Sequence, residues 1–480
     1  MTIYLVGIKG TGMAHLAVLL KAMGHEVSGC DSGERFVTDS TLEAHALVVD
    51  HGFDADLLTA SADLVIHSSA YGASVPIIAE AKRRGIEVLD YPAFVARLTG
   101  EQESWAVVGT HGKTTTASVA THLLSQATGG RFPFYALYGS REQALDAVPY
   151  WGNQVALFEG CEYQDHFLSY RLRGILITTI DWDHPDYFPD LEAVFSSFVT
   201  LAMGLERRGI LIYNSDDALV RRLISVVAAR RADLTLIGYG LSADGLFKIV
   251  KRGAGRYAFA GLGDLLFTVV VDEPSLVGDH LGALVLASAM LLDQDPPKLY
   301  LDDSALVTDE VLSTVVAHLG RHLATFAGAV GRLEVMGEEG GVIYLDDYAH
   351  HPREIVVLLG EVSRRWPGRE TVVLFSPHTA SRTRALFDEF VASLRPIDHL
   401  VIQATYASAR QDGGDEDPSL ALYERLSLLM GARVCYAKTD DEAIAAACAR
   451  LHEGALCITM GAGNNRDLGE RIARMRRRWM

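Results

Sequence analysis

Short apolar runs alternate with longer segments of helical periodicity along most of the chain. Several of these runs are continuous in Val, Ile and Leu, which is typical of parallel strands buried on both faces. The predicted strands include Ile3–Val6, Leu64–His67, Trp105–Val108, Val155–Phe158, Ile175–Ile180, Val342–Leu345, Val372–Phe375, His399–Ile402 and Leu456–Met460. The pattern predicts an α/β protein with mostly parallel, doubly wound sheets.

The 480 residues are enough for about three domains. One polar break, Leu98–Ser104, precedes a new strand, and a second break lies at Ala324–Gly331. We therefore expect domains at 1–100, 101–325 and 326–480. The stretch Gly238–Glu273 looks β-rich and is expected to form a subsidiary sheet or insertion.

Charge and cysteine content indicate which kinds of partner and cellular compartment suit the chain. Lys and Arg number 43 and Asp and Glu 61, so the net charge is −18. Such an acidic excess repels a phosphate backbone and argues against a nucleic-acid partner. Five cysteines without C-x-x-C spacing favour a reducing, cytoplasmic location, and no apolar stretch predicts a membrane span. The basic end, residues 471–480, is interpreted as a solvated helix end rather than a membrane or nucleic-acid contact.

A glycine-rich loop follows the first strand, with glycines at Gly7, Gly10 and Gly12. Asp31 follows the second predicted strand, about 20 residues on, where ribose hydroxyls are often bound. Glycines allow backbone N–H groups to approach a phosphate at a helix N-terminus. The spacing is not that of the dinucleotide fingerprint, so the alternatives are a nucleotide-diphosphate site and a tight turn without a ligand.

A second loop follows the strand Trp105–Val108 and carries a stronger signal. It reads Gly109-Thr110-His111-Gly112-Lys113-Thr114-Thr115 and opens a helix. In such a loop the backbone cradles phosphates, the lysine neutralises them and the following threonine can ligate Mg²⁺. It is a shortened variant of the phosphate-binding loop and predicts ATP or GTP binding.

Acidic residues and a histidine follow two further strands of the central region. Glu159 ends the strand Val155–Phe158, and His184 lies in the segment after Ile175–Ile180. The carboxyl ends of parallel strands meet at one sheet edge, where the phosphate loop also lies. Such ligands can hold Mg²⁺ against phosphates, although solvated loop acids are the plainer alternative.

Together these motifs resemble those of the Mur ligases, which build the peptide stem of peptidoglycan. The resemblance rests on the loop Gly109–Thr115, on Glu159 and on Asp183-His184, and the Gly7–Gly12 loop with Val65–Ala70 matches the sugar-nucleotide domain. The third domain adds the motifs Gly331–Glu334, Asp346–Pro352, Phe375–His378 and Gly461-Ala462-Gly463-Asn464. The motifs span nearly the whole chain in the family's order.

The resemblance implies Rossmann-like first and third domains around a phosphate-loop ATPase domain. It implies an ATP- and Mg²⁺-dependent ligase that joins L-alanine to UDP-N-acetylmuramate through an acyl-phosphate. A monomer or weak homodimer is expected. The implied catalytic residues are Lys113, Glu159, His184, Arg332 and Asp347. The implied ATP contacts are Gly109, Thr110, His111, Gly112, Lys113, Thr114, Thr115, Arg332 and Asp347. The implied metal ligands are Thr114, Glu159 and His184. The implied substrate contacts are Gly7, Gly10, Gly12, Asp31, Ser68, Ser69, His350 and Arg382.

Two departures from the family pattern keep alternatives open. The stretch His280–Leu284 lacks both asparagines that serve the adenine side in this branch, and Thr379 stands where an arginine is usual. Leucine offers adenine no hydrogen-bonding group. The alternatives are a recycling ligase that attaches a murein peptide, a ligase for glycine or serine, and a nucleotide-binding regulator without catalysis.

Overall fold

The computed structural model describes residues 1–140, 143, 149–263, 265–294, 311–405, 417–461, 463 and 465–479. Two compact units account for the chain. The first contains Met1–Trp182 and Asp190–Ala327, and the second contains Asp183–Pro189 and Gly328–Met480. Ala462 and Asn464, which belong to one motif of the sequence, lie outside the described residues.

The first unit begins with a five-stranded parallel sheet in the order β3-β2-β1-β4-β5. Its elements are β1 (Thr2–Val6), α1 (Thr11–Ala22), β2 (Glu26–Asp31), α2 (Asp39–Ala44), β3 (Val48–His51), β4 (Leu64–His67), α3 (Pro76–Arg83), β5 (Glu87–Asp90) and α4 (Tyr91–Thr99). The strand order reverses between β1 and β4. Ligands of open α/β sheets bind at such a reversal, beyond the carboxyl ends of the strands.

The same unit continues with a nine-stranded sheet in the order β14-β13-β12-β11-β10-β9-β6-β8-β7. Its strands are β6 (Glu103–Val108), β7 (Phe134–Leu137), β8 (Val155–Gly160), β9 (Gly174–Ile177), β10 (Ile210–Asn214), β11 (Thr235–Gly240), β12 (Phe247–Gly253), β13 (Arg256–Phe259) and β14 (Leu266–Thr268). Its helices are α5 (Lys113–Thr128), α6 (Leu191–Met203), α7 (Ala218–Arg230), α8 (Pro274–Leu292) and α9 (Val311–Gly320). The central strand β6 is almost fully buried, as its continuous apolar sequence predicts.

The stretch expected to be β-rich forms the antiparallel strands β12, β13 and β14. They are not a separate sheet, because a short parallel pairing of β12 with β11 joins them to the edge of the central sheet. A second expectation needs correction. The strand expected at Ile175–Ile180 ends at Ile177. The Thr178 N–H still donates to Val108 at the end of β6, but β6 ends there, and the Thr178 hydroxyl and the Thr179 carbonyl oxygen bond the loop after β6.

The second unit has a six-stranded sheet in the order β15-β16-β20-β17-β18-β19, parallel except for β15. Its strands are β15 (Glu334–Glu339), β16 (Val342–Asp347), β17 (Thr371–Ser376), β18 (His399–Gln403), β19 (Val434–Ala437) and β20 (Leu456–Gly461). Its helices are α10 (Pro352–Arg365), α11 (Ala380–Ala385), α12 (Phe387–Leu394), α13 (Pro418–Met430), α14 (Asp440–Cys448) and α15 (Asn465–Trp479). The three-domain α/β architecture is confirmed, while the domain boundaries stay a prediction.

Among the described helices, α8 alone is long and apolar enough to cross a membrane. Most of it is buried inside the protein, and it packs against α5 and α9. A core helix passes the same test of length and composition. Its Leu281 and Leu284, at the positions of the missing asparagines, are completely buried.

Candidate active site

The loop between β6 and α5 has the backbone of a phosphate cradle. Gly109 and Gly112 have φ angles of +140° and +83°, which favour glycine. A Cβ on Gly109 would lie 2.0 Å from Thr178 Oγ1, and one on Gly112 would lie 2.5 Å from Asp279 Oδ1. No side chain fits at either position. Because α5 begins at Lys113, the loop also places a helix N-terminus, with its partial positive charge, at the cradle.

Lys113 is held inside this loop by three acceptors. Its ammonium donates to the carbonyl oxygens of Gly109 and Thr110, and to Glu162 Oε2 at 2.9 Å. Glu162 is buried. Burial alone would lower the pKa of Lys113, but the carboxylates of Glu162 and Glu159 outweigh it and raise that pKa. Lys113 therefore stays cationic, and a bound phosphate can replace Glu162 as its ion-pair partner.

The side-chain oxygens of Thr114 and Glu159 lie close together beside Lys113. The Thr114 hydroxyl lies 3.0 Å from both Glu159 carboxylate oxygens, and the backbone N–H of Gly139 donates to Glu159 Oε2 at 2.8 Å. Hydroxyl and carboxylate oxygens are the ligands that Mg²⁺ prefers. The chemistry of this pair therefore fits a magnesium ion next to a phosphate cradle.

The segment after β9 supports the loop from the other side. The Thr110 N–H donates to the carbonyl oxygen of Thr179, and the Asp181 N–H donates to Thr110 Oγ1. His111 Nε2 lies 3.4 Å from Asp181 Oδ2. Thr110 and His111 thus fix the loop to the segment after β9. Contacts of Thr110, His111 and Thr115 with ATP stay predictions.

The first glycine-rich loop lies where the order of the five-stranded sheet reverses. Gly7 has a φ of +81°, and a Cβ there would lie 2.6 Å from the Tyr71 ring and 3.0 Å from Ser68 Cβ. A Cβ on Gly12 would lie 3.1 Å from the Tyr91 ring. The structure therefore brings this loop and Ser68 together, with Gly10 between the two glycines and Ser69 exposed.

Asp31 supports this first loop from within. It is 2% exposed, and its carboxylate accepts from the N–H groups of Lys9 and Ser32 at 2.7 and 2.8 Å. The Tyr71 hydroxyl lies 3.4 Å away. These contacts make Asp31 a structural anchor of the loop. Its predicted contact with a ribose stays a prediction.

In the second unit, Arg332 stands beside the buried end of β16. Its guanidinium lies 4.9 Å from the centre of the Tyr348 ring. The Asp347 carboxylate accepts from the N–H groups of Leu333 and Ala349, at 2.6 and 2.7 Å. Burial raises the pKa of Asp347 to about 6, although Arg332 lowers it. The structure therefore brings Arg332 and Asp347 together in one loop cluster.

Arg382 and His350 occupy a neighbouring part of this unit. Arg382 is 2% exposed and donates to both carboxylate oxygens of Asp183, at 2.7 and 3.1 Å. The His350 ring lies 5.4 Å from that of His378, which contacts Arg382. Burial lowers the pKa of His350 to about 4, so its imidazole is neutral at pH 7. The predicted carboxylate-binding arginine is already paired with a carboxylate of the protein.

Two residues of this region have unusual backbones. His184, next to Asp183, has a φ of +56°, and Thr379 has a φ of +63°. Non-glycine residues in this conformation are uncommon and gather at functional sites. His184 belongs to the second unit, whereas Thr114 and Glu159 belong to the first. The predicted metal contact of His184 stays a prediction.

Sequence analysis did not single out Glu162 as a site residue, although it contacts Lys113. Its only sequence signal is its place three residues after Glu159, in the loop that follows β8. His280 is buried on α8; burial lowers its pKa to about 4, and its Nδ1 lies 2.8 Å from the Leu276 carbonyl oxygen.

The fold and the site define a phosphate-loop, nucleotide-dependent α/β enzyme of three domains. Three family models match the chain: the Mur ligase family catalytic domain at residues 2–103, the Mur ligase middle domain at 107–259 and the Mur ligase glutamate ligase domain at 331–463. The chain belongs to the Mur ligase family.

Its relatives extend along its whole length. The UDP-N-acetylmuramate–L-alanine ligase of Treponema pallidum is 34% identical over 478 residues, which cover 98% of this chain and 95% of the relative. The ligase of the same name from Desulfitobacterium hafniense is 34% identical, with 98% and 99% covered. The structure of UDP-N-acetylmuramate–alanine ligase from Thermotoga maritima shares the fold, with a TM-score of 0.76, 20% identity and all of both chains covered.

Proposed function

We propose that this chain is the cytoplasmic ATP-dependent ligase that joins L-alanine to UDP-N-acetylmuramate in peptidoglycan precursor synthesis. The observation that carries the chemistry is the Thr114–Glu159 oxygen pair next to Lys113 in a glycine cradle. The two substrates are those in the names of relatives 34% identical over nearly the full chain.

The site explains how a carboxylate can be activated. The sugar carboxylate attacks the γ-phosphorus of ATP, the bond to the ADP oxygen breaks and an acyl-phosphate forms. Two anions must approach each other for this step, so fixed positive charge lowers its barrier. Lys113 supplies that charge, and the N–H groups of the Gly109–Gly112 loop add to it. Thr114 and Glu159 would hold Mg²⁺, which supplies further charge at the phosphates.

The second step forms the amide. The amine of the amino acid attacks the acyl carbonyl carbon, the bond from that carbon to the phosphate oxygen breaks, and the inorganic phosphate released takes up the proton that the amine loses. Neutral His350 can accept a hydrogen bond from the amine, and Arg332 would reach the nucleotide phosphates. Asp347 accepts from the N–H of Leu333, the residue after Arg332, and from that of Ala349.

Two residues of the second unit bear on which amino acid is selected. Thr379 removes one expected cation, and Arg382 is committed to Asp183. Because both observations reduce the positive charge available to an amino-acid carboxylate, L-alanine is tested against other substrates. The alternatives are glycine, L-serine and a murein peptide, and a murein peptide ligase from Psychrobacter arcticus shares the fold with a TM-score of 0.70 and 19% identity.

The test is ADP release by the purified chain with ATP, Mg²⁺ and UDP-N-acetylmuramate, with each amino acid or tripeptide offered in turn. We expect release with L-alanine and a product heavier by one alanine residue. Release that does not depend on UDP-N-acetylmuramate would indicate a general nucleotidase. Preference for the tripeptide would instead make the chain a recycling ligase.

A further inference from the structure

The turn that presents Arg332 has a left-handed backbone on both sides of the arginine. Gly331 has a φ of +68° and Leu333 a φ of +43°. Glycine adopts this conformation without strain, whereas a non-glycine residue such as Leu333 persists in it only where its surroundings hold it. The side chain of Arg332 is therefore aimed by a backbone that needs support.

Two carboxylates on neighbouring strands hold this turn. The Gly331 N–H donates to Glu334 Oε2 at 2.8 Å, and the Leu333 N–H donates to Asp347 Oδ2 at 2.6 Å. The carbonyl oxygen of Gly331 also accepts from the Tyr348 N–H at 2.9 Å. The amide groups before and after Arg332 are thus each fixed by an acidic side chain.

Glu334 is itself held by an arginine far away in the sequence. Arg466, at the start of α15, donates through Nη2 to Glu334 Oε1 at 2.9 Å and through Nη1 to Oε2. Both carboxylate oxygens are therefore engaged, and the side chain of Glu334 is only 9% exposed. Such a two-point contact fixes the orientation of a carboxylate as well as its position.

The packing of α15 brings Arg466 to this place. A Cβ on Gly469 would lie 2.6 Å from the end of the Met336 side chain on β15 and 3.2 Å from Thr459 Cγ2 on β20, so the helix packs closely against both strands. Arg466 also lies 3.9 Å from Asp346 Oδ2 and 3.5 Å from Glu470 Oε1. The carboxyl groups of Glu334, Asp346 and Glu470 surround the Arg466 guanidinium and anchor it.

We propose that Arg466 is a positioning residue that acts through Glu334 to hold the turn and aim Arg332 at the nucleotide. The inference rests on the proposed function, because that function makes Arg332 a phosphate contact. Arg466 itself stands one residue removed from the turn and acts only through the Glu334 carboxylate.

The experiment is a double-mutant cycle on the full-length chain, with Arg332→Ala, Arg466→Ala and the double variant. We expect Arg332→Ala and Arg466→Ala each to weaken binding of a non-hydrolysable ATP analogue, measured by calorimetry, by about tenfold. The double variant should be no weaker than Arg332→Ala alone, because residues that act through one group are not additive.

The matched control is Arg471→Ala. Arg471 lies on the same helix and donates to Asp441 Oδ1 at 2.7 Å, so its pairing partner is on α14 and not in the turn. We expect its nucleotide affinity to equal that of the wild type. Glu334→Gln, which keeps an acceptor for the Gly331 N–H but loses the charge that Arg466 binds, should fall between the wild type and Arg466→Ala.

Additive losses in the cycle, or unchanged affinity in either Arg332→Ala or Arg466→Ala, would overturn the inference. If Arg466→Ala does not fold, Arg466→Lys serves in its place, since lysine keeps the charge but makes only one contact with Glu334. Analogue affinity does not depend on ligation. A wild-type chain that binds the analogue but forms no alanine adduct therefore contradicts the proposed function and leaves the cycle decisive.

Discussion

Arg382 and Asp183 form a buried, two-point ion pair, with Nε and Nη2 of the guanidinium donating to the two carboxylate oxygens at 2.7 and 3.1 Å. Their side chains are 3% and 8% exposed. Burial alone would raise the pKa of Asp183, but Arg382 and His184 hold it well below its usual range. Both side chains are therefore charged in the interior, and each charge is stabilised by the opposite charge of its partner.

Removing one partner of this pair should destabilise the protein strongly. Arg382→Met leaves the Asp183 carboxylate buried without its partner, and we expect a loss of about 3–5 kcal/mol in the free energy of unfolding. Denaturant unfolding of the second unit, followed by a local probe, measures it. Arg382→Met combined with Asp183→Asn should recover much of the loss. An equal loss in the single and double variants would contradict the explanation.

Lys113 should be indispensable for ligation. Lys113→Ala removes the fixed charge at the transferred phosphate, and we expect kcat to fall by about a thousandfold. ADP release with both substrates present measures this. The control is Lys82→Ala, an exposed lysine on α3. Turnover of Lys113→Ala near that of the control would remove Lys113 from the mechanism.

The hydroxyl of Thr114 should set the requirement for Mg²⁺. Thr114→Val keeps the shape of the side chain but removes the oxygen that faces Glu159, so we expect the Mg²⁺ concentration for half-maximal activity to rise about 10–100-fold. Thr114→Ser retains the hydroxyl and should behave like the wild type. If valine and serine give the same Mg²⁺ dependence, Thr114 has no part in metal binding.

Asp346 should make stability fall as the pH rises from about 4 to 7. Burial raises its pKa to about 7, although Thr459 and Arg466 lower it, so the folded chain holds a proton that the unfolded chain releases near pH 4. Its contribution is complete below pH 4 and is lost as the pH passes 7. We therefore compare the free energy of unfolding of Asp346→Asn with that of the wild type. The difference should be more favourable to the variant at pH 8 than at pH 4, by on the order of 1–3 kcal/mol.

Unfolding by denaturant at the two pH values measures this difference. The control is Asp441→Asn, at an exposed position on α14. If the stability of Asp346→Asn depends on pH in the same way as that of the wild type, the Asp346 carboxyl does not titrate in this range.

Features that depend on nearby residues could be predicted from the sequence alone. The strands at Trp105–Val108 and Leu456–Met460 could be predicted because burial on both faces demands a continuous apolar run. The grouping of Lys113, Thr114 and Glu159 could be predicted because parallel strands end at one edge. These inferences need only the pattern near each residue.

The remaining features depend on contacts between distant residues. Arg466 and Glu334 are 132 residues apart, and neither has a neighbour in the sequence that indicates the pair. The early end of β9 coincides with the end of β6 and with hydrogen bonds of Thr178 and Thr179 to the loop after β6, which apolarity cannot indicate. Asp31 lies at a position typical of ribose binding, yet its partners are N–H groups of its own domain.

The central claim is that the chain activates the carboxylate of UDP-N-acetylmuramate by phosphoryl transfer and then joins it to L-alanine. The most direct measurement uses sugar nucleotide labelled with ¹⁸O in that carboxylate, with ATP, Mg²⁺ and L-alanine, and mass spectrometry of the products. We predict one ¹⁸O in the released inorganic phosphate for each alanine adduct formed. Label in AMP, or an adduct formed with unlabelled phosphate, would contradict the account.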